Sequence, residues 1–268
     1  MSRPTITAKE LLARKEPYVA VDATWFLPDA GRNGKDEFAQ ERLPGAVYYN
    51  MATIKADSPY PHMMVNKAQF EKAVGNLGIK PDDFVVIYDK QAFFSSPRVQ
   101  FVFDTFNHPH AVVLDNYNEY MQLGGPIETG EPKARAPTKY SQPGEPKSWV
   151  TFEQLKSDVE SKKAQHILDA RPGPAFAAGH VPGAKSLPFS QLLVPGGESA
   201  FKPDADIVAK LNELDVLDGK PVVVMCGSGV TACVLKLAID KFLETKSQVY
   251  DGSWGEWSAR ASPELIEK

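Results

Sequence analysis

Cysteine is scarce in this chain, since only 2 of its 268 residues are Cys. So few thiols exclude a disulfide framework and favour a reducing compartment. The Cys and His residues show no spacing typical of a metal site, and we predict neither a metal nor a cofactor. No apolar run approaches the roughly 20 residues of a membrane-spanning helix. Neither sign of charge dominates, because 30 Lys and Arg stand against 34 Asp and Glu. We therefore expect no binding to nucleic acid or to a membrane.

The N-terminal segment, residues 1–15, has no apolar core of the kind that a signal peptide carries. Residues 9–14 have the pattern of an amphipathic first helix, for which Thr7 is a suitable cap. We expect a cytoplasmic protein. A mitochondrial location is the alternative, against which the acidic Glu10 argues weakly.

A cysteine followed by a glycine-rich loop is the most informative feature that the chain does contain. The apolar run Val222–Met225 predicts a buried parallel strand, and residues 231–239 have helical spacing. Cys226 then lies at the carboxyl end of a strand, the edge at which open α/β sheets bind ligands. Converging backbone N–H groups and the helix dipole favour a thiolate there, so we predict that Cys226 is a nucleophile of low pKa.

Two other interpretations of these cysteines compete with that one. A cysteine phosphatase also cradles an anion in such a turn, but it needs an Arg at the far end of the loop, and this chain has Ala232 there. The phosphatase hypothesis therefore fails. Cys233 falls two helical turns after Cys226 and is predicted to be a buried core thiol, with a resolving or redox-sensing role as the alternative.

The chain repeats one pattern of four landmarks at a nearly constant offset of 136–138 residues for the last three pairs. The first copy has residues 21–24, 44–49, 85–89 and 112–116, and the second has residues 168–171, 182–187, 222–226 and 249–252. This repetition predicts a duplicated α/β domain whose mainly parallel sheets carry helices on both faces. The first copy has Asp89 where the second has Cys226, so only the second can use a thiol nucleophile.

A segment dense in Pro and Gly separates the two copies. We predict a non-catalytic domain over residues 1–123, a linker over 124–148 and a catalytic domain over 149–268.

Several motifs together resemble the two-domain sulfurtransferases of the rhodanese superfamily over essentially the whole chain. They are residues 21–25, 58–63, 77–79, 96–98, 179–184, 226–231 and 250–257. The resemblance implies two tandem rhodanese-like domains and a sulfur transfer through a persulfide on Cys226. The loop that follows this cysteine is similar to that of the mercaptopyruvate branch of the family.

The resemblance also implies roles for individual residues. Cys226, Ser228 and His62 match catalytic positions, the serine and histidine as a proton relay. The loop residues Gly227, Gly229, Val230 and Thr231 match the sulfur-binding turn. A small turn residue is the alternative for Ser228, and a loop histidine is the alternative for His62.

This chain departs from the family pattern at two places. Ala52 stands where the relay has its Asp, and Asn50 also replaces a usual Asp. Ala175 replaces an Arg that holds the substrate carboxylate, and a short insertion with a second Arg is missing. Arg98 and Arg171 are the remaining candidates for that task. For Arg171, next to Asp169, a structural ion pair is the favoured interpretation.

We predict an enzyme that moves sulfur from 3-mercaptopyruvate to a thiol, cyanide or a protein acceptor such as a thioredoxin-like protein. The uncharged Gly227 and Ser228 suit this donor better than the thiosulfate dianion. One alternative is a sulfur carrier loaded by a cysteine desulfurase within a sulfur relay, for instance for tRNA thiolation. Thiosulfate sulfurtransferase is another, and an intact Cys226 loop argues against a merely non-catalytic binding module.

Overall fold

The computed structural model describes residues 4–91, 93–194 and 201–268, and these form two compact units. The first unit contains residues up to 56 and residues 64–147. The second contains residues 57–63, 148–194 and 201–268. No helix in the described ranges is long and apolar enough to cross a membrane.

The first unit alternates short strands with helices. Its elements are β1 (Thr5–Ile6), α1 (Ala8–Ala13), β2 (Val19–Asp22), α2 (Gly34–Gln40), β3 (Val47–Tyr48), α3 (Lys67–Asn76), β4 (Val85–Tyr88), α4 (Ser96–Thr105), β5 (Ala111–Leu114) and α5 (Tyr117–Gln122). The strands form one parallel sheet in the order β1-β5-β4-β2-β3.

The second unit repeats this plan. Its elements are α6 (Phe152–Glu160), β6 (His166–Asp169), α7 (Gly173–Ala177), β7 (Ala184–Ser186), α8 (Asp204–Glu213), β8 (Val222–Met225), α9 (Ala232–Ile239), β9 (Gln248–Val249) and α10 (Ser253–Arg260), with 3-10 turns at Phe189–Leu192 and Pro263–Leu265. The sheet order is β7-β6-β8-β9, again parallel. An isolated parallel bridge pairs Val150 with Tyr250, just after β9. Val150 thus occupies the place in the second sheet that β1 occupies beside β5 in the first.

The central strands of both sheets are buried along their whole length. In β4 and β8 every residue is buried, as expected for apolar runs covered on both faces. Parallel sheets flanked by helices confirm the predicted α/β architecture. Because β2 and β4, and likewise β6 and β8, run parallel in register, their carboxyl ends meet at one edge of each sheet.

Local capping fixes where several helices begin. Thr7 closes a capping box with Glu10 at the start of α1, and the Thr151 hydroxyl accepts a bond from the Gln154 N–H at the start of α6. Thr7 is the cap that the sequence predicts for the first helix. Thr231, which precedes α9, makes no such side-chain bond within the described structure.

Residues 124–148, all of them described, contain no named helix or strand, and residues 124–147 belong to the first unit. Arg42 and Glu128 form an antiparallel bridge, and the Thr138 N–H donates to the Gly75 carbonyl. The Tyr140 hydroxyl pairs with buried His108 at 2.7 Å. Extended backbone held by such scattered bonds agrees with the high proline content of this segment.

Candidate active site

Cys226 directly follows strand β8 at the carboxyl edge of the second sheet. The residue before it, Met225, ends β8 and is paired in the sheet register with Asp169, which ends β6. Cys226 is 2% exposed, whereas the next residue, Gly227, is exposed. A thiol at this position lies beneath a loop that solutes can reach.

The loop after Cys226 is held through its carbonyl oxygens by the first turn of α10. The Trp254 N–H donates to the Cys226 carbonyl and the Gly255 N–H to the Gly227 carbonyl, both at 2.9 Å. In a trans peptide the N–H points opposite to the carbonyl. The N–H groups of Gly227 and Ser228 therefore point away from α10.

Five consecutive or nearly consecutive amides in this loop lack an acceptor. The N–H groups of Gly227, Ser228, Val230, Thr231 and Ala232 donate to no acceptor in the described part of the chain. Backbone donors in folded proteins are almost always paired, so such a cluster indicates a site for an anion or a polar ligand. The N-terminus of α9 adds its partial positive charge to the same loop.

The corresponding loop of the first unit shows what such amides bind. There the Asp89 carboxylate accepts the N–H groups of Gln91 at 2.8 Å, Ser95 at 3.1 Å and Ser96 at 2.8 Å. It also accepts the Ser96 hydroxyl at 2.6 Å. The anion is thus built into the chain, at the position where the second unit has Cys226.

The other predicted loop residues differ in burial. Ser228 and Thr231 are half-buried, and Val230 is buried. Gly229 has a φ of +75°, which favours glycine. This positive φ turns the chain from the strand into α9.

His62 lies in the segment 57–63, which belongs to the second compact unit although it comes from the first half of the chain. The structure therefore places His62 in the same unit as Cys226 and Ser228. His62 has a φ of +59°, an uncommon conformation for a residue with a side chain. Such conformations cluster at functional sites.

Arg171 forms a buried ion pair with Asp169. Its guanidinium donates to both carboxylate oxygens of Asp169 at 2.7–3.1 Å and to the Gly179 carbonyl at 2.7 Å. It also lies 4.3 Å from the centroid of the Trp254 ring. These contacts agree with the structural role that the sequence favoured for this residue.

Arg98 lies in the first unit, in the first turn of α4, and is 3% exposed. Tyr49 is fully buried nearby. Burial raises the pKa of Tyr49 and the charge of Arg98 opposes that rise. Arg98 therefore supplies a buried positive charge to its unit.

The position for which the family resemblance implies a relay Asp holds Ala52. Ala52 and Asn50 line a cavity of about 270 Å³ in the first unit, together with Trp25, Phe26, Arg32, Asn33, Gly34, Lys35 and Tyr48. Asn50 uses its side-chain oxygen to accept the Ala52 N–H at 3.0 Å. The Asn50 side chain thus stabilises a turn.

Sequence reasoning missed the part that α10 plays in holding the loop. Trp254 and Gly255 stand in the motif 250–257, but nothing in a linear pattern shows which carbonyls their N–H groups meet. Cys233 is buried, and its thiol donates to the Gly229 carbonyl at 3.3 Å. It thus has the buried position that its helical spacing predicts.

Comparisons with known proteins agree with this geometry. Residues 151–260 match the family model of the rhodanese-like domain. The probable 3-mercaptopyruvate sulfurtransferase of Schizosaccharomyces pombe is 36% identical over 261 residues, covering 91% of this chain and 87% of that protein. Thiosulfate sulfurtransferase TUM1 of Saccharomyces cerevisiae is 32% identical over 275 residues, covering 92% and 90%.

A solved structure shares the whole fold. The sulfur transferase subunit of yeast mitochondrial complex I, determined by cryo-EM, superposes with a TM-score of 0.88 at 31% identity, covering 98% of this chain and 99% of that one. Likeness of this extent in both sequence and fold reaches well beyond the single matched domain. The chain therefore belongs to the rhodanese superfamily, as one of its two-domain sulfurtransferases.

Proposed function

We propose that this enzyme transfers sulfur from 3-mercaptopyruvate to a thiol, cyanide or protein acceptor through a persulfide on Cys226. The observation that carries the proposal is the cluster of unpaired amides that follows Cys226. In the first unit the equivalent loop is filled by the carboxylate of Asp89. A thiolate or an anionic persulfide on Cys226 would give the second loop the same partner.

The chemistry balances without a further oxidant or reductant. The Cys226 thiolate attacks the sulfur of the donor, a sulfur–sulfur bond forms, and the bond from sulfur to carbon 3 breaks. The electron pair leaves on the carbon as the enolate of pyruvate, which takes up the proton of the donor thiol. An acceptor thiolate then attacks the outer sulfur of the persulfide and releases the Cys226 thiolate.

Two residues of the second unit are our candidates for moving the proton. Ser228 follows Cys226 by two residues, and His62 belongs to the segment packed into the same unit. We infer that they assist protonation of the enolate. Because residue 52 is Ala, Ser228 and His62 would transfer the proton without a carboxylate at that position.

The loop suits a thiol donor with a single carboxylate better than the thiosulfate dianion. Gly227 and Ser228 bring no positive side chain to Cys226, so thiosulfate lacks the fixed cations that would hold its charges. Thiosulfate sulfurtransferase is the second candidate, supported by the name of the Saccharomyces cerevisiae relative. A sulfur carrier loaded by a cysteine desulfurase is the third, favoured by Ala175 at a position where the family has an Arg for the substrate carboxylate.

Arg98 is our candidate for holding the carboxylate of the donor. Arg171 has its donors directed to Asp169 and Gly179, and Arg98 is a buried positive charge of the first unit. If Arg98 has this role, Arg98→Lys should raise the KM for 3-mercaptopyruvate about tenfold, because a charge-assisted bidentate contact is lost. An unchanged KM in folded Arg98→Lys would place the anchor elsewhere.

We infer that the protein is located in mitochondria. The support is the yeast mitochondrial complex I subunit that shares this fold. A thiol or a thioredoxin-like protein is the acceptor class that we propose.

Steady-state turnover with each donor, using cyanide or dithiothreitol as acceptor, tests the proposal. We expect a higher kcat/KM with 3-mercaptopyruvate than with thiosulfate, and loss of both activities in Cys226→Ser. Cys233→Ser is the matched control, because it removes the other buried thiol of the same unit and keeps a donor for Gly229. Faster turnover with thiosulfate would favour the second candidate, and no turnover with either donor would favour the carrier.

A further inference from the structure

Ser253 contacts the backbone of Cys226 although it lies 27 residues further along the chain. The Cys226 N–H donates to the Ser253 hydroxyl oxygen at 3.1 Å, and the hydroxyl itself donates to the Tyr250 carbonyl at 2.9 Å. A serine hydroxyl has one proton, so the bond to Tyr250 leaves a lone pair for the Cys226 N–H. Both partners of the hydroxyl are therefore fixed.

The conformation of Ser253 is unusual as well. Its φ is +50°, and the side chain is 0% exposed. An L-residue in the left-handed region costs about 1 kcal/mol and persists where the surroundings hold it. The preceding Gly252 is also constrained, because a Cβ there would lie 1.9 Å from the Glu256 carboxylate.

Together with its two neighbours, Ser253 holds three backbone polar groups of Cys226 and Gly227. Ser253 accepts the Cys226 N–H, Trp254 donates to the Cys226 carbonyl and Gly255 donates to the Gly227 carbonyl. These bonds fix the peptide planes on both sides of Cys226. The orientation of the amides that would face its sulfur follows from those planes.

The first unit, which has Asp89 in place of the cysteine, lacks this arrangement at the corresponding position. Helix α5 begins with Tyr117 where α10 begins with Ser253. The Tyr117 hydroxyl donates to the Glu41 carboxylate at 2.6 Å. The serine contact thus occurs in the unit with the nucleophile.

We propose that Ser253 is a positioning residue for sulfur transfer, holding the Cys226 peptide so that the loop amides converge on the sulfur. The proposal rests on the proposed persulfide function of Cys226. Ser253 acts through the backbone of Cys226, since its one proton is used by Tyr250.

Ser253→Gly tests this role, because it removes the hydroxyl and also relieves the positive φ, which favours folding. We expect kcat to fall by about tenfold to a hundredfold while KM stays within about twofold, because misplaced catalytic groups affect the reacting state most. The alkylation of Cys226 by iodoacetamide, which needs no substrate, should slow in parallel. Lys162→Gly is the matched control, since Lys162 has a φ of +52° in the same unit and is exposed.

Ser253→Ala provides a second variant that removes the hydroxyl without adding backbone freedom. If either variant folds as judged by circular dichroism and keeps its kcat within about twofold, the positioning role is wrong. A loss of activity that only follows the loss of folded protein would overturn it equally. Failure of the persulfide mechanism is recognised separately, because Cys226→Ser would then retain turnover.

Discussion

Asp22 and Asp169 end corresponding strands of the two units, and they differ in the charged and polar groups beside them. Asp169 is held by the Arg171 guanidinium, whereas Asp22 accepts the Thr24 N–H at 2.8 Å. Burial raises the pKa of Asp22 from 3.8 to about 6, against the smaller lowering effects of Thr24 and the charge of Lys90. The same residue type at the same strand end thus meets two electrostatic environments.

The raised pKa predicts that Asp22→Asn stabilises the protein at neutral pH. Between pH 3.8 and about 6 the unfolded chain loses this proton before the folded chain does, so stability falls as pH rises through that window. The rise in pKa corresponds to about 3 kcal/mol, and Asn can still accept the Thr24 N–H. Urea unfolding should show Asp22→Asn more stable by about 2–3 kcal/mol at pH 7, with no advantage near pH 4.

Asp169→Asn is the control for that experiment and should act in the opposite direction. It leaves the buried Arg171 without its counter-ion, which costs about 3–5 kcal/mol. An Asp22→Asn variant that is destabilised at pH 7, or equally stabilised at both pH values, would contradict the account of its burial.

At the scale of the elements, the two strand–loop–helix turns differ in the residue at which each begins. The first turn, residues 89–95, has Asp89 inside it, and the second, residues 226–231, has Cys226. Asp89→Ala should destabilise the first unit by about 2–5 kcal/mol, because two buried N–H groups, one half-buried N–H group and one hydroxyl lose their acceptor. Thermal unfolding in sulfate against chloride at equal ionic strength should show a partial rescue by sulfate.

Cys226→Ala is the matched control in the other turn, since no carboxylate is removed there. Its loss of stability should be smaller than that of Asp89→Ala. If sulfate and chloride affect Asp89→Ala alike, the turn does not bind anions through its amides.

Much of this element structure could be predicted from local patterns. The apolar run Val222–Met225 is the observed β8, and the helical spacing over residues 231–239 corresponds to α9 (Ala232–Ile239). Periodicity could not reveal that Trp254 and Gly255 hold the carbonyls of Cys226 and Gly227, because those bonds join residues far apart in the chain. Nor could it reveal that the Asp89 carboxylate fills its own loop.

At the scale of the whole molecule, the constant offset between repeated landmarks predicted two similar α/β domains, and the two sheets share their strand order. The grouping of residues 57–63 with the second unit could not be predicted in this way. It depends on long-range packing, which a linear repeat does not contain. His62 could be proposed for the site only through the family resemblance.

The central claim is that the transferred sulfur passes through Cys226, and mass spectrometry of the loaded enzyme tests it most directly. Brief treatment with 3-mercaptopyruvate, followed by trapping of persulfides with an alkylating agent and proteolysis, should add one sulfur atom to the peptide that contains Cys226. Cys233 should stay unmodified, because it is buried and bonded to the Gly229 carbonyl. Because the two cysteines are close in sequence, Cys226→Ser and Cys233→Ser should be treated in parallel. Loading in Cys233→Ser and none in Cys226→Ser is the result that we predict, and sulfur retained by Cys226→Ser would contradict the account.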